Sequence, residues 1–470
     1  MSFMKLLIVV ALCAVALFCA VGSFAAEVRG AWITSWDKGF YTPQEIDDTI
    51  AAAKKAGLNA LFIEVRKFAD SYYDSKIEPR GPEVPAGFDP LAYTIEKAHP
   101  EGMQVYAWVV VYRAWAGSNK KPPTDPNHIL NKHPEWILKD VDGKDWPGDG
   151  MFLDPGVPEA RDYIVSVFED IVKRYKIDGL QYDYVRYPGP KWGYSDTALK
   201  RYYAETGATT KPEPNDPKWL QWRRDQVTSL VKICHDKIKA MTPNVAITGS
   251  TICYGPCNAD FNKTSPYVET CQDWYGWMKS GYMDVNIPMN YKPETSDWMK
   301  KSFREWTDAS SRWQGKGMVF QGIDGNNQSV ENMLKQIEYV RAAGQAGWVL
   351  FSFNESAHRD KEAAELGAAL APAPKLPVNM ADGLNTQASR EAFDRGIKQA
   401  ENKKYAEATI ELKKAVELDP GYSEAFYRLG RCYLKMNKNE NAREAFKKAL
   451  EVNPCHEGAN KELDMLNSKK

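Results

Sequence analysis

Beyond its first 26 residues the chain has no uninterrupted apolar run near the roughly 20 residues a membrane-spanning helix requires, so no membrane span is expected in the mature protein. It also lacks an excess of charge of either sign: 61 Lys plus Arg stand against 62 Asp plus Glu. That balance gives no electrostatic reason to bind nucleic acid or an anionic membrane. Histidine is scarce, with six in 470 residues, and no histidine-rich metal motif, glycine-rich phosphate loop or Ser with an adjacent His is present. Cys253-x-x-x-Cys257 is the one spacing that invites zinc, but the nearest histidine, His235, directly follows Cys234 and completes no familiar ligand set. No cofactor and no metal are therefore expected.

What is present begins with an export signature. Met4-Lys5, an apolar run from Leu6 to Phe18, and small residues through Ala25-Ala26 ahead of the charged Glu27 have the layout of a cleaved secretory signal peptide over residues 1–26. The expected location is secreted or periplasmic. A lipoprotein is the competing reading, because Cys19 lies late in the segment, but Phe18 is bulky where a lipidation signal has a small residue. Cys234, Cys253, Cys257, Cys271, Cys432 and Cys455 would then lie in a compartment that permits disulfides. A Cys432–Cys455 pair in the C-terminal module is expected, leaving four cysteines with three possible connectivities.

From Val28 to Leu370 short apolar runs alternate with amphipathic stretches, the pattern of βα units around a parallel sheet. Eight strands are predicted: Gly30–Thr34, Ala60–Val65, Val105–Val111, Gly179–Tyr182, Val245–Gly249, Val285–Met289, Met318–Gln321 and Trp348–Phe351. Helices are expected over Pro43–Ala56, Pro158–Tyr175, Leu220–Met241 and Ser329–Ala343, with Gly57 and Gly344 as stops. The fold class is thus α/β, a (β/α)8 barrel over residues 27–370, whose active site belongs on the loops at the C-terminal ends of the strands. Residues 371–385, opening Ala-Pro-Ala-Pro-Lys-Leu-Pro, read as a stiff linker.

Over residues 386–470 the chain repeats itself. Gly396, Ala408, Ala415 and Pro420 recur 34 residues later as Gly430, Ala442, Ala449 and Pro454. That period and those positions resemble the all-α tetratricopeptide repeat, here two copies plus a trailing helix. Such a surface is expected to bind a protein partner; simple docking on the barrel is the alternative.

The densest chemistry is Asp178-Gly-Leu-Gln-Tyr-Asp-Tyr-Val-Arg-Tyr-Pro188, which places Asp183 and Arg186 at the mouth of the barrel. Asp178, at the start of the strand, reads as a turn residue. Asp183 is suited to nucleophilic or acid/base work, or to an ion pair with Arg186. Glycosidic cleavage normally needs a second carboxyl group. Glu64 at the end of strand two and Glu355 after strand eight are the candidates, with Asp154 and Asp324 further ones; Glu64 could instead pair with Arg66, two residues along. Aromatic residues make up 12% of the chain, including 15 Trp, and Trp32, Trp108 and Tyr291 are expected to line a sugar cleft or to pack the core. His133 and Trp136 are read as wall residues.

Val28-Arg-Gly-Ala-Trp32, Gly57-Leu-Asn59, Glu64-Val-Arg66, Ala107-Trp108, His133-Pro-Glu-Trp136, Leu153-Asp-Pro155, Asp178-Gly179, Asp183-Tyr-Val-Arg-Tyr-Pro188, Pro288-Met-Asn-Tyr291 and Phe351-Ser352 follow one another in order at the strand ends. Together they resemble the glycosyl-hydrolase-like family ten, exported bacterial barrels that include a peptidoglycan glycosidase. The resemblance implies hydrolysis of a polysaccharide and carries the family's acidic strand-four position onto Asp183. Some members have two consecutive acidic residues there, whereas this chain has Tyr184 second. The expected substrate is a bacterial polysaccharide, first peptidoglycan glycan strands and then exopolysaccharide. The alternative is a catalytically silent, glycan-binding barrel whose repeats recruit a partner.

Overall fold

In the computed structural model the described residues are 27–117, 121–354, 356–370, 385–418, 422–452 and 457–467. The predicted signal peptide, the predicted linker up to residue 384, Glu355 and Cys455 therefore lie outside them. The chain divides into two compact units, Glu27–Ala381 and Asp382–Lys470.

The first unit is a closed barrel of eight parallel strands. Around the ring run β1 (Val28–Ile33), β10 (Gly347–Phe351), β9 (Met318–Asp324), β8 (Val285–Pro288), β7 (Ala246–Thr251), β6 (Gly179–Asp183), β3 (Gln104–Val110) and β2 (Ala60–Arg66). All eight strands read from the sequence are present, each shifted by at most a few residues. A short antiparallel pair, β4 (Arg113–Trp115) with β5 (Met151–Phe152), was not foreseen and closes the loop that follows β3.

Alternation along the strands divides the apolar side chains into two cores. Trp32, Ala60, Phe62, Tyr106, Trp108, Ile287, Phe320 and Val349 fill the barrel. Their neighbours in sequence, among them Ala31, Ile33, Leu61, Ile63 and Val65, face the surrounding helices. Inside, Phe62 and Tyr106 stack at 4.3 Å between centroids. A Cβ at Gly179 would stand 2.3 Å from the Tyr106 ring, so the aromatic filling dictates glycine there. The barrel is thus packed solid, and its chemistry is confined to the mouth.

The helices follow their capping chemistry. Thr42 caps Pro43–Lys55, Asp216 caps Pro217–Met241 and Ser329 caps Val330–Ala342, each side-chain oxygen accepting from a first-turn N–H. Gly57 and Gly344 both take φ of 72°, as helix-stopping residues must.

The disulfides expected in the barrel are not formed: Cys234, Cys253, Cys257 and Cys271 are free thiols, as is Cys432. Cys234 is buried on a helix face close to Tyr182, and Cys253 lies beside the Lys292 ammonium, so each is committed to its own packing. Among the described residues no helix is long and apolar enough to cross a membrane, and no cluster could hold a metal ion.

The second unit consists of helices Asn385–Glu401, Tyr405–Leu418, Ser423–Lys435, Asn439–Val452 and Glu457–Asn467. The repeat is written in its backbone as well as its sequence. Lys403 and Asn437, 34 residues apart, take left-handed φ of 60° and 57° at the turn between paired helices. Ala408, Ala415, Ala442 and Ala449 are fully buried where helices cross. A Cβ on Gly396 would meet Leu412 at 2.7 Å, and one on Gly430 would meet Phe446 at 2.5 Å.

Candidate active site

Three neighbouring strands, β2, β3 and β6, end in inward-facing polar groups. Glu64 is paired in register with Trp108, and Val110 with Asp183. Glu64 and Asp183 therefore stand two strands apart and two residues out of register, about 12 Å at the backbone, with Trp108 between them. The indole N–H of Trp108 donates to Asp183 Oδ2 at 3.2 Å, and the Tyr184 backbone N–H donates to Oδ1 at 2.7 Å.

Glu64 is fully buried. Its Oε2 accepts from the Ser35 backbone N–H at 2.7 Å and the Ser35 hydroxyl at 2.8 Å, while Oε1 has no partner. Burial pushes this carboxyl up to about 7, against the pull of the Ser35 hydrogen bonds and of Arg113; Asp183 raises it further. Burial also raises Asp183, opposed first by Arg186, then by the Tyr184 N–H, Arg113 and Trp108. A carboxyl poised near neutrality with one unpartnered oxygen, beside a second carboxylate held by N–H donors, is the equipment of acid/base chemistry.

Neither of the competing ion pairs is made. Glu64 does not meet Arg66: a bulge between them breaks the strand's alternation and sends the guanidinium to Glu78 at 2.8 Å, with further bonds to the Val110 and Val111 carbonyls. Arg66 is thus fully buried and committed to Glu78. Among the described residues no carboxylate lies within ion-pair distance of Arg186, whose guanidinium lies over the Tyr184 ring at 4.4 Å.

Other expected site residues divide in the same way. Trp32, 1% exposed, packs against Phe62 and Trp108 inside the barrel, its N–H on Gln181 at 2.8 Å, so it belongs to the core rather than the cleft lining. Asp154 is fully buried and accepts from the Gly156 N–H at 2.8 Å, holding the turn that follows β5. Asp324 ends β9 and gathers the backbone N–H groups of Asn326 and Asn327, shaping its loop. Tyr291 is half-buried and stacks on Phe351 at 4.9 Å. Asp178 serves the opposite face, accepting from the Val105 N–H at 2.8 Å. His133 stacks on Trp136 at 3.9 Å. Glu355 lies outside the described residues.

Three residues at the mouth escaped the sequence reading. Trp36 is 51% exposed, with the Lys67 ammonium and the Arg113 guanidinium over its ring. Tyr254 is 49% exposed, and its phenol feels the charges of Arg186 and Asp183. Arg113 donates to the Tyr184 hydroxyl at 2.9 Å and lies over that ring at 4.1 Å. The one available signal was position: each follows within a few residues of a barrel strand's C-terminal end.

Residues 27–325 match the family described as Glycosyl hydrolase-like 10, and residues 423–454 match the tetratricopeptide repeat. Glycosyl hydrolase DigH of Escherichia coli strain K12 is 29% identical over 270 residues, covering 53% of this chain and 58% of the relative. Glycosyl hydrolase YngK of Bacillus subtilis strain 168 is 29% identical over 290 residues, 56% of this chain and 54% of the relative. The chain thus spans little more than half the length of these relatives. In fold it is similar to alpha-L-fucosidase isoenzyme 2 from Paenibacillus thiaminolyticus (TM-score 0.52, 13% identity, 73% of this chain, 49% of that one). It is equally similar to the beta-amylase catalytic domain from Paenibacillus polymyxa (TM-score 0.52, 11% identity, 74% of this chain, 100% of that one).

Proposed function

This chain belongs to the Glycosyl hydrolase-like 10 family, and from that membership we propose that it is an exported glycoside hydrolase acting on a bacterial polysaccharide, with peptidoglycan glycan strands as first substrate. The observation that carries the reading is the Glu64–Asp183 pair. Neither carboxyl is neutralised by an arginine at ion-pair distance among the described residues, and burial holds Glu64 up to about 7. In the reaction Glu64 delivers its proton to the glycosidic oxygen as the bond from C1 to that oxygen breaks. Asp183 supports the developing positive charge at C1, either by bonding to it or by taking a proton from the incoming water. Trp36 and Tyr254 offer flat exposed faces for sugar rings at the entrance. Residues 1–26 supply the export signal, and the repeats recruit a protein partner.

A second reading, a barrel that binds glycan without cleaving it, is favoured by one observation: Glu64 has no exposed surface. The deciding experiment is release of soluble fragments from purified, peptide-stripped peptidoglycan by the chain and its Asp183→Asn and Glu64→Gln variants. Release lost in both variants supports the hydrolase. Binding without release from this or any other bacterial polysaccharide supports the silent barrel.

A further inference from the structure

Arg113 and Arg186 are each 7% exposed, and both flank the site. Buried guanidinium groups are ordinarily paired with carboxylates, because desolvating an unpaired charge is costly. Among the described residues neither has a carboxylate within ion-pair distance, and the Nε of each is buried without a hydrogen-bond partner. What they share is Tyr184. Both guanidinium carbons lie over its ring, at 4.1 and 4.4 Å from the centroid, and Arg113 holds its hydroxyl. Tyr184 itself is pinned in left-handed backbone, φ 51°, immediately after Asp183.

The charge count around this stack is unbalanced. Asp183 is one carboxylate for two guanidinium groups, and Glu64, held up to about 7, is protonated on the acid side of neutrality. Asp149, exposed on the loop near Tyr184 and Tyr254, is a further acidic group in the surroundings, beyond ion-pair distance of either arginine. The exposed Trp36 ring under Arg113 extends the site outward with a surface suited to a pyranose.

We propose that Arg113 and Arg186, spaced by Tyr184, form a carboxylate-recognition subsite, so that the sugar bound beside Asp183 is an acidic one. The ligand chemistry is a pyranose bearing a carboxylate, either directly on the ring as in a hexuronate or on an ether side chain as in a lactyl-substituted amino sugar. The ligand's carboxylate supplies a counter-charge that no described carboxylate provides at ion-pair distance, through charge-assisted hydrogen bonds for which arginine is suited. The inference rests on the reading of this cleft as a glycan site.

The test is calorimetric binding to the full chain carrying Glu64→Gln, so that ligand is not consumed. Two oligosaccharides are compared, a hexuronan and an amino-sugar strand with lactyl ethers, each intact and with its carboxylates converted to neutral methylamides. At least one is expected to bind tenfold or more tightly as the carboxylate than as the amide, which also identifies the source of the acid. Adding Arg186→Gln or Arg113→Gln is expected to cut that preference to about twofold. No preference for either carboxylate, no binding of either glycan, or a preference undiminished in both arginine variants would overturn the proposal. Fragment release by the unsubstituted chain, measured in parallel, reports separately on hydrolysis.

Discussion

Trp108 donates its indole N–H to Asp183 Oδ2 at 3.2 Å, tying the aromatic filling of the barrel to the carboxylate at its mouth. A hydrogen bond to a charged acceptor contributes about 1.5 to 3 kcal/mol. This one favours the ionised form of Asp183, opposing the upward push of burial. Trp108→Phe keeps most of the ring and removes the donor. The Asp183 pKa should rise, so the acid limb of the kcat/KM profile is expected to move to higher pH. Asp183→Asn is expected to cost on the order of 10² to 10⁴ in kcat. An unmoved acid limb in Trp108→Phe would reduce that tryptophan to packing.

Glu64 gives a prediction about stability whose sign follows from its raised pKa. The folded protein holds this proton up to about pH 7, whereas an unperturbed glutamate releases it near 4.5. Between those values the folded state binds more protons than the unfolded one, so stability falls as pH rises. The loss is on the order of 3 kcal/mol by pH 7 and is absent below 4.5. Asp183 is displaced in the same direction and adds to the slope. Glu64→Gln removes Glu64's share: urea midpoints should match those of the unsubstituted chain at pH 4 and exceed them at pH 8. The same protonation sets activity, which should decline above about pH 7 as the general acid is lost.

The sequence already showed much of this, and the places where it failed have physical causes. Alternation along Ala60, Phe62 and Glu64 identifies the inner face of β2 and puts Glu64 at the mouth. The same alternation extended two residues places Arg66 beside it, which the bulge after Glu64 prevents. Period-two reasoning cannot detect a bulge. Trp32 continues an inward-facing row, but depth along the strand decides between core and cleft, and its indole comes to lie one layer below the mouth against Gln181. Trp36 and Tyr254 sit on loops and Arg113 opens the three-residue β4, where no periodicity reports direction. The helical repeat was legible because its small residues are demanded by helix contact, as at Gly430 against Phe446.

Trp36 separates binding from chemistry. Its ring is 51% exposed and meets Phe68 edge-on at 5.1 Å, so truncation leaves no buried cavity. Trp36→Ala should change the thermal midpoint by little. A lost aromatic contact of about 0.5 to 1.5 kcal/mol predicts a KM raised about two- to twelvefold with kcat retained. A fall in kcat without a change in KM would mean that the ring acts on Arg113 instead of on the sugar.

Glu78 tests the ion pair that the bulge creates. Arg66 and Glu78 meet at 2.8 Å with both side chains essentially buried, and the Tyr163 hydroxyl donates to the same carboxylate at 2.7 Å. Removing one partner of such a pair leaves an uncompensated buried charge, a cost of about 3 to 5 kcal/mol. Glu78→Gln keeps the shape and an acceptor for Tyr163 but abandons the guanidinium. It should lower the urea midpoint strongly at pH 7 to 8, where Glu64→Gln raises it. Opposite shifts from the same chemical substitution follow from a single difference: Glu78 has an arginine opposite it, and Glu64 has an unpartnered oxygen.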